Sequence, residues 1–182
     1  YKKSFWTENH LKFDTSIKCG FEDRVLNYEI FQIAGKQVLN PEIGYKYYQR
    51  FEHSTFKKFN RNMLYSCLLS AEAEYELFQH LKSNPDFHSD WIQKSAEYLT
   101  EFLMLLSRSD NDMTKSELTD FMRKLRKSKA FRDVQKKGSD KRLSMTKKGV
   151  VRLFVKGKYS LLLNVSRVYA RFIFLKKRMG KR

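Results

Sequence analysis

The chain has 182 residues and carries 37 Lys+Arg against 20 Asp+Glu, a formal charge of +17. That length suits one domain, or one domain with an appendage. With 41% hydrophobic and 15% aromatic residues it is too apolar for a disordered tail, and 7 Gly with 2 Pro exclude collagen-like and turn-dense all-β chains. The first residue is Tyr1, which leaves room for a segment ahead of this sequence, with any targeting signal it carries.

The charge is unevenly spread. Residues 1–114 hold 14 basic and 16 acidic side chains, a net of −2. Residues 115–182 hold 23 basic side chains and only Glu117, Asp120, Asp133 and Asp140 on the acidic side, a net of +19. Like charge at this density repels itself and is best tolerated where a polyanion neutralises it.

In chain order, residues 1–20 lack periodicity and read as an irregular arm docked by Phe5, Trp6 and Phe13. A helix is predicted near 21–39, opened by Glu22 and Asp23, which favour a helix N-terminus. Its apolar residues are Val25, Leu26, Ile30, Phe31, Ile33 and Ala34. Asn40-Pro41 reads as a cap and first-turn proline of a second helix carrying Ile43, Tyr47 and Phe51. Phe59, Met63, Cys67 and Ala71 then recur every four residues, widened by Leu64, Leu68, Leu77, Phe78 and Leu81, until Ser83-Asn84-Pro85 stops the helix.

A further helix is expected from Asp90, paired with Gln93 in a capping-box spacing, with Ile92, Ala96, Leu99, Leu103 and Leu106 as its core seam. Thr114 and Glu117 form a second capping box. They open a helix with Leu118, Phe121, Met122 and Leu125 inward and cations at its end. The segment 129–149 is short-period and basic. Val150, Val151, Leu153, Phe154 and Val155, between Gly149 and Gly157, suit a strand as well as a helix. A last helix over 159–177 has Leu161, Val165, Val168, Phe172 and Leu175 in one stripe and Asn164, Arg167 and Arg171 in the opposite one. The expected architecture is all-α, a compact multi-helix bundle with at most one small β-hairpin. It would comprise an arm (1–20), a helical body (21–112) and a basic helical region (113–182) packed on it.

The sequence offers little for catalysis. His10, His53, His80 and His88 fit no His-Glu-x-x-His pattern, and Cys19 and Cys67 form no Cys-x-x-Cys pair. These two cysteines suit either one disulfide or two reduced thiols. No Gly-rich phosphate loop or dinucleotide fingerprint is present, and no cofactor, metal or enzymatic activity is expected.

Two local resemblances stand out. Phe102 to Phe121, with Asp110-Asn111-Asp112 and Glu117, resembles the outline of an EF-hand. Setting Glu117 at the twelfth loop position, however, puts Leu106 and Arg108 where oxygen ligands belong. Thr114–Leu118 followed by Gly138, Asp140-Lys141-Arg142 and Met145–Gly149 resembles a winged helix-turn-helix of the MarR type over about 40 residues. That resemblance implies two helices and then a basic β-wing, although the first wing strand after Gly138 is nearly absent.

The leading functional expectation is a non-enzymatic nucleic-acid-binding protein, such as a ribonucleoprotein or ribosome-associated component, with RNA or DNA as partner. The residues expected to contact phosphates are Arg123, Lys124, Arg126 and Lys127, then Lys136, Lys137, Lys141, Arg142, Lys147 and Lys148. Arg152, Arg167, Arg171, Lys176, Lys177, Arg178, Lys181 and Arg182 complete the set. Tyr159 and Tyr169 are candidates to stack on an unpaired base, although Tyr169 and Phe172 also suit the core. Such a protein is expected inside the cell, in nucleus, mitochondrion or cytoplasm alike. The alternative is a helical interaction module, a secreted cytokine-like ligand or an adaptor, whose basic face binds an acidic protein partner or a sulfated glycan. A third reading is the membrane surface, given the apolar stripe and basic flanks of 159–178.

Overall fold

A computed structural model describes residues 2–35, 58–81, 87–137 and 142–179, with side chains described except at 87–89, 135–137 and 170–179. Among the described residues, eight helices form an all-α, multi-helix bundle architecture, and no strand occurs. The chain divides into two compact units, Tyr1–His80 and Leu81–Arg182. The helix expected at Asn40-Pro41 lies outside the described residues.

Unit 1 contains α1 (Lys3–Glu8), α2 (Glu22–Ile33) and α3 (Arg61–His80), with α2 packed along α3. The four-residue rhythm of α3 buries Met63, Leu64, Cys67, Leu68, Ala71 and Leu77, whereas Leu81, just past the helix end, is exposed. The first 20 residues include a short helix as well as irregular chain: Phe5 and Trp6 pack against Leu11, Leu26 and Ile30. Phe13, expected to dock there, is 51% exposed, with its ring 6.1 Å from that of Trp6. Farther on, the Cys19 N–H donates to Ser66 Oγ (3.2 Å), fastening the loop to α3. Gly20 and Phe21 then both take left-handed backbone (φ +68° and +72°) on the way into α2. Gly does so freely, but an aromatic residue does so at a cost of roughly 1–2 kcal/mol. Val25, Leu26 and Ile30 are the inward face of α2; Phe31 and Ile33, expected in that face, are exposed, and the helix stops at Ile33.

Unit 2 contains α4 (Phe87–Leu106), α5 (Lys115–Lys127), α6 (Lys129–Lys137), α7 (Met145–Val155) and α8 (Tyr159–Met179). The predicted seam Ile92, Ala96, Leu99, Leu103 and Leu106 is buried, and α4 packs against α6, α7 and α8. An aromatic row runs through all five helices. Phe102 meets Phe121 (5.7 Å between centroids) and Phe131 (6.2 Å); Phe131 meets Phe154 (5.6 Å), and Phe154 meets Tyr159 (6.2 Å). Buried Trp91 donates its indole N–H to the Ala130 carbonyl (2.8 Å), locking α4 to α6.

Three sequence expectations need correction in unit 2. Helix α4 starts at Phe87, so Asp90 lies within its first turn and not at its cap. The ambiguous segment 150–155 is helical. Ser144 caps α7 by accepting from the Lys147 N–H (3.3 Å), so Met145–Gly149, set against a MarR-type wing, are helical, while Gly138, Asp140 and Lys141 lie outside the described residues. Gly149 sits inside α7, while Gly157 ends it: the Gly157 N–H bonds Phe154 O and the Lys158 N–H bonds Leu153 O, both at 3.0 Å. That paired closure needs a left-handed residue at position 157, and φ there is +67°.

The third correction concerns α8. Its buried row is Tyr159, Leu162, Leu163 and Ser166, so the stripe residues Leu161, Val165 and Val168 face outward at 53%, 51% and 68% exposure, and Tyr169, which also suited the core, is exposed with them.

Candidate polyanion-binding surface

Because Leu118, Phe121, Met122 and Leu125 turn inward, the intervening cations Arg123, Lys124 and Lys127 are exposed on α5. The helix is anchored at its start by the expected capping box: Thr114 Oγ1 accepts from the Glu117 N–H (3.3 Å), and the Glu117 carboxylate accepts from the Thr114 N–H (2.7 Å). Arg123 donates to Asp120 one turn earlier (2.7 Å) with both side chains 62% exposed, a pair that water and salt screen strongly. Arg126 is half-buried, its Nη1 about 3.4 Å from where a Cβ on Gly157 would stand.

Only Ser128 separates α5 from α6, whose inward residues Ala130, Phe131 and Val134 leave Lys129 and Arg132 exposed. These two cations, like Lys156 and Lys158, are exposed in unit 2 although they are not among the contacts expected from sequence. The signal was present in the alternation of apolar and basic residues through 129–134. Lys136 and Lys137 lie in the last turn of α6 with side chains outside the described set, and Lys141 is outside the described residues.

Two cations of the next stretch are partnered. Arg142 Nη1 lies 3.0 Å from Asp90 Oδ1, and Lys147 Nζ lies 3.3 Å from Glu97 Oε1. Asp90 and Glu97 are seven residues, or two turns, apart on α4, so one face of that helix presents both carboxylates. Beyond them Lys148 is half-buried and Arg152 exposed. On α8, Arg167 is half-buried. Arg171, Lys176, Lys177 and Arg178 lie on the helix with side chains outside the described set, and Lys181 and Arg182 are outside the described residues. Tyr159 is buried against Phe154 and is closed to base stacking, whereas Tyr169 is 53% exposed and not in the core.

Other chemistry is sparse. In the loop that resembles an EF-hand, the oxygens serve the protein itself: Asp110 pairs with Arg108 (2.8 Å), Asn111 Oδ1 accepts from the Met113 N–H (2.9 Å), and Glu117 caps α5. No group of three His, Cys, Asp or Glu able to hold a metal occurs among the described residues. Cys19 and Cys67 are both buried free thiols. Burial, and then the charge of Glu22, pushes the Cys19 thiol above its ordinary range. No protein-family model, curated protein or solved structure matches the chain.

Proposed function

We propose that unit 2 is a non-enzymatic phosphate-binding module that grips nucleic acid, RNA or DNA, by its backbone. The observation that carries this reading is the excess of cations in one compact unit: 26 Lys+Arg against 10 Asp+Glu between Leu81 and Arg182, a net of +16. Exposed Arg123, Lys124, Lys127, Lys129, Arg132, Arg152, Lys156 and Lys158 contribute to it. Cations at that density bind by displacing the counterions condensed on a phosphate chain, which gives affinity without base readout. Buried Tyr159 takes no part, and exposed Tyr169 is the described candidate for stacking on an unpaired base.

Fluorescence polarisation with labelled duplex DNA and single-stranded RNA across a salt series tests the reading. Contact with ~6 or more phosphates gives a slope of log K on log salt of about −5 on the duplex. A flat salt response, or equal affinity for an uncharged polymer, would remove it. Co-purifying nucleic acid released by nuclease or high salt is the supporting preparative sign.

A further inference from the structure

The outward stripe of α8 is left uncovered by the described residues. Leu161, Val165 and Val168 recur at i, i+4 and i+7, and Tyr169 stands beside them, all more than half exposed. Val165, Val168 and Tyr169 line a shallow, almost wholly apolar hollow with Asn164. The core is served by a different row of the same helix, Tyr159, Leu162, Leu163 and Ser166. An aliphatic row of this kind, set against water, costs free energy unless something covers it.

The charge around the row indicates what does. Helix α8 contains no acidic residue and five cations, Arg167, Arg171, Lys176, Lys177 and Arg178, and exposed Lys156 and Lys158 precede it. A second copy docking through the same stripe would bring two such cationic helices together and repel. Nucleic acid would meet the cations but would leave three aliphatic side chains against sugar and phosphate. An anionic bilayer satisfies both features, with acyl chains for the stripe and headgroup phosphates for the flanking Lys and Arg. No described helix is long and apolar enough to cross a membrane, so the geometry is that of a helix lying in the interface.

We propose that the Leu161–Val165–Val168–Tyr169 face of α8 seats unit 2 on the surface of a bilayer containing anionic phospholipid. The apolar row is what the nucleic-acid reading does not use, whereas Lys156 and Lys158 serve both readings, so the row is the part to perturb: lipid binding lost with duplex affinity kept tells the two apart. The test is flotation of the full chain with phosphatidylcholine vesicles and with equimolar phosphatidylcholine–phosphatidylglycerol vesicles, for wild type and Val165→Glu/Val168→Glu. Wild type is expected to float with the anionic vesicles and to partition roughly tenfold less onto neutral ones. The double variant is expected to lose about tenfold or more on the anionic vesicles while keeping its helical circular dichroism and its duplex affinity. Retention of vesicle binding by the double variant would overturn the proposal, as would failure of wild type to float. So would a wild-type dimer in light scattering that the double variant dissolves without change in lipid partition.

Discussion

Replacing Asp90 by Asn and Glu97 by Gln removes the two carboxylates that engage Arg142 and Lys147. In wild type these cations meet a phosphate only after leaving their partners. The pairs are 3.0 and 3.3 Å long, with side chains between 37% and 54% exposed. Exposed pairs of this kind hold about 0.2–1 kcal/mol each. Loss of these two pairs therefore raises affinity for a phosphate chain by up to roughly 30-fold. If each cation then engages a phosphate, the slope of log K on log salt on duplex DNA steepens by up to ~1.8. The assay is polarisation of a labelled duplex at several salt concentrations, beside a urea titration showing that the variant loses no more than about 2 kcal/mol of stability. A gain is informative because damage to the fold reduces binding and does not raise it. Unchanged or weaker binding at every salt concentration would show that Arg142 and Lys147 lie off the contact surface.

Four further outcomes are expected. Gly149 is an exposed helix-interior residue with nothing within 4 Å of where an added methyl would stand, so Gly149→Ala should stabilise unit 2 by about 0.5–1 kcal/mol in urea unfolding. Gly157→Ala, at φ +67°, should destabilise it by about 1 kcal/mol or more, and equal effects at the two sites would refute the assignment of the α7 terminus. Phe131→Ala, which opens the aromatic row between Phe102 and Phe154, should cost about 3–5 kcal/mol; a loss below about 1 kcal/mol would mean the row is not packed as described. Buried Cys19 and Cys67 should react with an aromatic disulfide reagent only as fast as urea opens unit 1, and prompt labelling of the native chain would contradict their burial.

Much of the fold was legible because several helices had one unambiguous apolar row. The seam Ile92 to Leu106 and the inward face of α5 were read correctly for that reason, and Thr114 with Glu117 fixed the start of α5 by a local device that needs no tertiary knowledge. Helix α8 was misread because it has apolar side chains on more than one face. Leu161–Val165–Val168 fits helical spacing as well as Tyr159–Leu162–Ser166, and only the packing of α4, α5 and α7 against α8 decides between them. Likewise Val150 to Val155 was ambiguous from β-branching alone, and the Ser144 cap settles it as helix. The cationic character of the surface was plain from composition. The pairing of Arg142 with a carboxylate 52 residues away, and of Lys147 with one 50 away, was not, because long-range partners leave no local spacing to read.

The chain has two tryptophans, and one falls in each unit. Trp91, 1% exposed with its N–H bonded to a carbonyl, emits from a dry and rigid setting. Trp6 sits half-covered among Phe5, Leu11 and Phe13 and emits from a wetter one. The protein thus carries an intrinsic two-colour optical probe, the blue component belonging to residues 81–182 and the red to residues 1–80. The order in which the colours change on denaturation will tell whether the two halves of the chain come apart as one cooperative body or in turn.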